Sequence, residues 1–264
     1  LQQPPTNGAE AFAAELLQVL AREHTLTVVC RAPSEGAAPL ACGARVEVPE
    51  ELLAQGDALT AFLREHVDAG AHDLLYNLGN LYFGARLSAF LLILAPRLPM
   101  VNHFQAVLAQ YAKVEGQPNA RLEQAVAAQA LCARLGALNI FSSQAECRFA
   151  LAHGLPISAQ PISIVPNGID AHTLRAVEPD AAPLEAAGLD LAPLPDGTAP
   201  PLVMTSGRFE DLAKGGDIAY RAFVQLHAVA PHVRLAAVTG SDRFAQVLHG
   251  LPPGVAVRIP WLPR

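Results

Sequence analysis

The chain has 264 residues, of which 52% are hydrophobic and 16% are charged, and this balance excludes an intrinsically disordered protein. The length suits one large domain or two small ones. The formal net charge is −6, and no block of Lys or Arg offers a footprint for a phosphate backbone, which argues against a nucleic-acid-binding protein.

The cysteines and the apolar runs indicate a cytoplasmic protein. No signal peptide is visible, and the apolar run Leu87–Ala95 is too short to span a bilayer, so it predicts a buried helix. None of the cysteines has the paired spacing of metal ligands, and reduced, mostly buried thiols are the simpler interpretation. The cysteines are Cys30, Cys42, Cys132 and Cys147.

The start of the chain predicts a loop over residues 1–10, an amphipathic helix from Ala11 to about Arg22, and a strand at Thr25–Cys30. In an α/β protein such a loop normally follows a strand, and no strand precedes it here. We therefore expect that the sequence lacks the first strand of its domain.

Gly8 lies in this opening loop where the helix is expected to start, with Asn7 and Glu10 on either side. A glycine at a helix start lets backbone N–H groups approach a phosphate, and the helix adds positive potential there. The alternative is an ordinary turn glycine that needs no ligand. The sequence alone favours the turn, and Gly8 stays a candidate phosphate-facing position.

Strands and helices alternate through the next hundred residues, which predicts an α/β fold with a mainly parallel sheet. The predicted strands are Arg45–Val48, Asp73–Asn77, Met100–His103, Asn139–Ser142 and Ile162–Val165. The predicted helices are Glu50–Asp68, Gly84–Ala95, Asn119–Leu135 and one that Ser143 caps and that ends at Gly154.

His103 is a candidate site residue because it lies at the carboxyl end of a predicted strand. Open α/β sheets bind their ligands at this end of the strands. The alternative is a structural histidine whose ring nitrogens are satisfied by neighbouring groups. The loop from Phe104 to Pro118 follows directly and is long enough to cover a site.

The stretch from Leu202 to Gly240 predicts a strand, a loop, a helix and a second strand. In the helix, Ile218, Ala222, Leu226 and Val229 fall on one face. The loop carries two cations and three glycines, and together they could hold a diphosphate; the alternative is a plain parallel-sheet crossover with solvated cations. These loop residues are Gly207, Arg208, Lys214, Gly215 and Gly216.

The composition shifts to Ala and Pro over Arg175–Pro201, which is typical of a domain boundary. The predicted organisation is therefore a first domain over residues 1–172, a linker over 173–200 that includes a short helix near Ala182–Gly188, and a second domain over 201–264.

Three landmarks in order resemble the retaining nucleotide-sugar glycosyltransferases of family 4, which have the GT-B architecture. The opening Asn7-Gly-Ala-Glu10 resembles the family's Gly-Gly-x-Glu start. The run from Phe141-Ser-Ser through His153-Gly-Leu-Pro156 to Ile162-Ser-Ile-Val-Pro-Asn-Gly-Ile-Asp170 resembles its domain-junction motif. Ser206-Gly-Arg208 through Lys214-Gly215, with Ala222-Phe223 beyond, resembles its donor-diphosphate motif.

This resemblance implies two Rossmann-like domains facing across a cleft, and a role for each candidate residue. Gly207, Arg208, Lys214 and Gly215 would bind the donor diphosphate, and His103 would be catalytic, beside the transferred sugar. The loop of Asn7, Gly8 and Glu10 would meet the phosphate or the acceptor, and Asn167 and Gly168 would form the domain junction. The family generally needs no bound metal, so neither a metal nor another cofactor is implied.

The chain departs from the family in lacking its Glu-x7-Glu motif, because the sequence stops at Arg264 soon after a strand at Val255–Ile259. We therefore expect an incomplete second domain and weak or absent transfer by these 264 residues. A non-catalytic nucleotide- or sugar-binding protein and a GT-B sugar epimerase stay open as alternatives.

The expected partners are a nucleoside-diphosphate sugar and an acceptor whose class (glycan, lipid-linked or small molecule) stays open, with no nucleic acid. Peripheral contact with a membrane and association into a homo-oligomer also stay open.

Overall fold

The structure is a computed structural model that describes residues 8–31, 43–78, 82–109, 120–168, 180–207, 215–239 and 250–259. The chain divides into two units, Leu1–Ile169 and Asp170–Arg264. None of the helices in those ranges is long and apolar enough to cross a membrane.

The first unit alternates helices and strands, as the sequence predicts. Its helices are α1 (Gly8–Leu20), α2 (Gly56–His66), α3 (Tyr82–Leu94), α4 (Ala120–Leu135) and α5 (Gln144–Ala152), with 3-10 helices at Glu50–Ala54 and Ala69–Ala71. Its strands are β1 (Thr27–Arg31), β2 (Ala44–Val48), β3 (Leu75–Leu78), β4 (Met100–Phe104), β5 (Leu138–Phe141) and β6 (Ile162–Ile164).

The largest differences from the predicted helices of this unit are at α1 and α2. Helix α1 starts at Gly8 rather than at Ala11, so Glu10 lies inside the helix and not in a preceding loop. The single helix predicted over Glu50–Asp68 is a 3-10 helix followed by α2. The break falls at Gln55, whose N–H donates to the Leu52 carbonyl and closes the 3-10 turn before the weak helix former Gly56.

All described strand pairs are parallel. Strands β1 and β2 pair with each other, and β3, β4, β5 and β6 form a sheet in that order. In this sheet Leu78 lies opposite His103, and His103 lies opposite Ile140. The carboxyl ends of the four strands therefore lie at one edge of the sheet. In the same unit, helix α3 packs closely against helix α4.

Three buried asparagines lie side by side across this sheet: Asn77 on β3, Asn102 on β4 and Asn139 on β5. The Asn77 amide donates to Asn102 Oδ1 at 2.9 Å, and the Asn102 amide donates to Asn139 Oδ1 at 3.0 Å. We call this row of hydrogen-bonded side chains the asparagine ladder. Ser88 donates to Asn77, and the Cys132 carbonyl accepts from Asn102. A shift of one residue in the strand pairing would leave these buried amides without partners, so the asparagine ladder fixes the strand register.

The apolar core of the first unit includes two clusters that join strands to helices. Phe104 and Phe141, neighbours on β4 and β5, stack with ring centroids 4.7 Å apart and pack with Ile157. A second cluster joins Val48 and helices α2 and α3 through Leu59, Leu63, Leu87 and Leu91. The predicted helix at Leu87–Ala95 is thus buried along one side, although Ile93 is exposed.

The second unit contains α6 (Ala182–Ala186), β7 (Leu202–Ser206), α7 (Gly216–Val229), β8 (Arg234–Val238) and β9 (Ala256–Ile259). The strands form a parallel sheet in the order β7, β8, β9. Leu189, inside the stretch predicted as a linker, packs in one core cluster with Ala236 and Val257. That stretch is therefore part of the folded unit from at least α6 onward.

The apolar face that the sequence marks on α7 is exposed. Ile218 and Val229 are 62% and 82% exposed. The residue that anchors the helix is instead Phe223, which is 3% exposed and packs with Val233 and Leu235. The packing of the large Phe223 ring thus determines which side of α7 is buried, and the spacing of apolar residues along the helix does not by itself predict it.

Candidate functional site

His103 lies one residue before the end of β4, at the carboxyl edge of the first sheet, where the sequence places it. The side chain is 3% exposed. Its Nδ1 is 2.9 Å from the Tyr76 hydroxyl on the neighbouring strand β3. Phe12 of α1 packs edge-on against the imidazole, with ring centroids 4.9 Å apart. The ring is therefore held between α1 and the sheet.

Burial controls the charge of this histidine. Desolvation lowers the pKa of His103 below its ordinary value of 6.5, and desolvation raises the pKa of Tyr76 above its ordinary value of 10.0. The imidazole is therefore neutral and the phenol protonated near neutral pH. The second ring nitrogen, Nε2, is buried and has no hydrogen-bond partner among the residues that the structure describes. Such a group marks a candidate ligand contact.

Helix α1 brings a second candidate residue towards His103. Gly8 is the first residue of α1, and Phe12, which touches His103, lies four residues later. Residues four apart are neighbours on one helix face, about one turn of 5.4 Å apart. The start of α1 is therefore about one turn from the packing contact with His103.

Polar groups continue along the same carboxyl edge. Gln105, just after β4, and Asn167, just after β6, exchange amide hydrogen bonds of 3.4 and 3.5 Å. Between them, after β5, Ser142 donates to Glu146 Oε2 at 2.6 Å, and Ser143 caps α5 by accepting from the Glu146 N–H. Asn167 is thus hydrogen-bonded to the residue that follows the strand of His103. In the part of the chain that the structure describes, no atom lies within 4 Å of a Cβ built on Gly168.

In the second unit the glycines of the predicted diphosphate loop have different roles. The Gly207 N–H donates to the Val238 carbonyl at 3.2 Å, so this N–H extends the sheet and does not face an anion. Gly215 caps α7 in the left-handed conformation, with φ 65°, which favours glycine. Its carbonyl accepts from the N–H groups of Ile218 and Ala219, which closes the first turn of α7.

Several predicted site residues lie outside the described residues: Asn7 in the opening loop, and Arg208 and Lys214 in the loop between β7 and α7. Glu10 lies within α1, but its side chain is also outside the description. Within the described ranges, no group of three or more His, Cys, Asp and Glu side chains could hold a metal ion.

Tyr76 is a site residue that no motif in the sequence indicates. Tyr76 lies opposite Val101, and His103 is two residues beyond Val101 on the same face of the sheet. These diagonal neighbours can be found only once the strand register is known. The signal in the sequence is that Tyr76, an aromatic residue with a polar hydroxyl, lies near the end of one predicted strand, and His103 lies at the end of the next.

A family model described as Glycosyltransferase Family 4 matches residues 6–173 of the chain. No curated protein matches the sequence. Among solved structures, the chain is similar to the S. aureus MnaA–UDP co-structure, with 15% identity, a TM-score of 0.55, and coverage of 96% of this chain and 67% of that chain.

A putative UDP-N-acetylglucosamine 2-epimerase from Listeria monocytogenes is similar too, with 14% identity, a TM-score of 0.53, and coverage of 96% of this chain and 65% of that one. The chain thus spans about two thirds of the length of these structures. At this level of identity the likeness shows the fold, an α/β architecture of Rossmann-like units of the GT-B type.

Proposed function

The chain belongs to Glycosyltransferase Family 4, and from this premise we propose that it is a retaining glycosyltransferase that moves a sugar from a nucleoside diphosphate to an acceptor hydroxyl. The observation that carries the proposal is the family match over residues 6–173, which includes the carboxyl edge with His103, whose buried Nε2 has no hydrogen-bond partner among the described residues. Ligands of open α/β sheets bind at such an edge.

In the proposed reaction the second unit holds the leaving group. When the bond to the sugar breaks, negative charge develops on the terminal phosphate of the nucleoside diphosphate. Arg208 and Lys214 would stabilise this charge, and the start of α7 would add the positive potential of a helix terminus. The position of Gly215 supports this, because it starts α7 directly after residues 208–214, which include both cations.

The first unit would hold the sugar and the acceptor. A neutral His103 can exchange a hydrogen bond with a substrate oxygen without adding a charge. The start of α1 at Gly8 would contribute backbone N–H groups to the phosphate or the acceptor. Retention of configuration fits attack from the face that the diphosphate leaves, with a phosphate oxygen taking the proton of the acceptor hydroxyl.

The first experiment identifies the donor and the reaction. A panel of nucleoside diphosphates and nucleotide sugars is screened by thermal shift, because a ligand at a hundred times its Kd stabilises by about 2.7 kcal/mol. The sugar nucleotides that stabilise the protein are then incubated with and without candidate acceptors. Acceptor-dependent release of nucleoside diphosphate, at the low rate expected of these 264 residues and with the anomeric configuration retained in the product, is the expected result.

The diphosphate assignment is tested by Arg208→Ala and Lys214→Ala. Each should weaken binding of the nucleoside diphosphate by about 1.5–3 kcal/mol, the range for a hydrogen bond to a charged group. Titration calorimetry measures this loss. Arg148→Ala, an exposed position on α5 in the other unit, removes the same charge and should leave the affinity unchanged. Wild-type affinity in both loop variants would remove these two residues from the site.

A second candidate is epimerisation of the sugar in a nucleotide sugar. The fold likeness to the putative epimerase favours it, because the two chains match over 96% of this one. An epimerase would change the sugar with no acceptor present, whereas a transferase would not. A non-catalytic binding protein would be stabilised by the same ligands and yield no product in either assay.

A further inference from the structure

Tyr76 and His103 form a hydrogen-bonded pair that links two neighbouring strands on one face of the first sheet. Leu78 lies opposite His103, so Tyr76 is the diagonal neighbour of His103 on that face. Their rings lie at 60° with centroids 6.2 Å apart, and the hydroxyl reaches Nδ1 at 2.9 Å. Both groups belong to regular strands, so the backbone fixes their relative position.

A count of hydrogen bonds decides which group donates. If the Tyr76 hydroxyl donates to Nδ1, the single proton of the neutral imidazole is on Nε2, and only the Nε2–H is unpaired. If Nδ1–H donates instead, both the Tyr76 hydroxyl proton and the Nε2 lone pair lack partners in the described part of the chain. The buried Nε2 lacks a partner among the described residues in both arrangements, and the second also leaves the part-buried Tyr76 hydroxyl without an acceptor, so the first arrangement is the favoured one.

We propose that Tyr76 is a positioning residue that fixes His103 as the Nε2–H tautomer, so that the buried Nε2–H donates to an oxygen of the bound sugar nucleotide. The inference rests on the proposed function, because it supplies the substrate oxygen. Sugar hydroxyls and phosphate oxygens are both acceptors for this donor. In the free protein Nε2 is buried, so the groups covering it must move when the substrate binds.

Tyr76→Phe and Phe12→Leu make a matched pair of variants. Tyr76→Phe removes only the hydroxyl that contacts Nδ1 and keeps the ring. Phe12→Leu changes the packing against the same imidazole and leaves the hydroxyl in place. A merely structural role for Tyr76 would give the two variants the same effect on His103, whereas the positioning role predicts different effects.

The test is nitrogen NMR of protein with isotope-labelled histidine, in which protonated and unprotonated ring nitrogens have distinct shifts. The His103 signals among those of the nine histidines are assigned from the spectrum of His103→Gln. We expect Nε2–H in the wild-type protein and in Phe12→Leu, and a mixture of both tautomers in Tyr76→Phe. A wild-type Nδ1–H, or an unchanged tautomer in Tyr76→Phe, would overturn the inference.

A kinetic measurement complements the spectra. For the sugar nucleotide found by the panel, Tyr76→Phe should lower kcat by about tenfold, the size of one net hydrogen bond, with little change in KM. An unchanged kcat together with a mixed tautomer would overturn the donor role of Nε2–H. A tautomer change in a protein that neither binds a nucleotide sugar nor transfers a sugar would overturn the proposed function and leave the Tyr76 assignment standing.

Discussion

His103 is a titratable group that folding moves from water into contact with Phe12 and Tyr76, and its lowered pKa makes stability depend on pH. Above its ordinary value of 6.5 the imidazole is neutral in both the folded and the unfolded chain, so it adds no pH dependence. Below that value the unfolded chain takes up the proton first. The free energy of unfolding must therefore fall as the pH falls.

We predict that this loss of stability in acid is smaller in His103→Gln, which cannot titrate. The measurement is denaturant unfolding of both proteins between about pH 8 and about pH 5, below the ordinary pKa of the group. The other histidines contribute equally to both curves, so the difference reports His103. Parallel curves across the whole range would show that burial does not shift this pKa.

The side chains that contact His103 could not be predicted from the sequence. His103 was found because its strand ends in a recognisable way, and that position depends only on local pattern. Tyr76 was missed because diagonal contacts depend on register, and register depends on pairing between residues far apart in sequence. The same holds for Asn77, Asn102 and Asn139, whose alignment only the paired strands show.

At the scale of elements, Gly136 lies in the turn between α4 and β5, and the asparagine ladder leaves no space for a side chain at this position. A Cβ on Gly136 would collide with the Asn102 side-chain amide nitrogen and lie 3.1 Å from the Cys132 carbonyl oxygen. These two groups are hydrogen-bonded to each other. A methyl group at Gly136 would therefore overpack the turn and disrupt the hydrogen bond from Asn102 to the Cys132 carbonyl.

We predict that Gly136→Ala lowers the free energy of unfolding by about 2–4 kcal/mol, from overpacking and a lost buried hydrogen bond. Gly168→Ala is the control, because nothing in the structure lies within 4 Å of a Cβ there, and it should stay within about 0.5 kcal/mol of wild type. Chemical denaturation gives both values. Equal stability of the two variants would mean that the turn relaxes away from Asn102.

Element types were predictable where the apolar pattern is regular, and element boundaries were not. The alternation of strands and helices follows from apolar runs separated by Gly, Pro and polar residues. The break at Gln55 depends on one 3-10 hydrogen bond, and the exposed side of α7 depends on where Phe223 finds its partners. Both are tertiary effects that override local preference.

At the scale of the whole molecule, the most exposed large apolar side chain that the structure describes is Val229 of α7. Ile218 and Leu226, at helical spacing on the same face, are 62% and 39% exposed. Exposed apolar side chains grouped on one helix face promote association in water. The sequence analysis left a homo-oligomer open, and this surface is where we expect contact between copies.

We predict concentration-dependent association that Ile218→Lys and Val229→Lys each reduce. Sedimentation velocity over a hundredfold range of concentration, wide enough to shift a micromolar equilibrium of about −8 kcal/mol, measures it. Ile93→Lys is the control, because Ile93 is 63% exposed on α3 and should not affect association. A wild-type protein that sediments as a monomer at every concentration would show that α7 is not a contact surface.

The asparagine ladder also determines the order in which the strands of the first unit unfold. Strands β3, β4 and β5 are joined by their backbones and, through Asn77, Asn102 and Asn139, by their side chains as well. Releasing one of them leaves the amides of its neighbours buried and unpaired, so partial opening of this sheet is costly. These strands therefore open together, as one cooperative block, while β6, which contributes no amide to the ladder, can separate first.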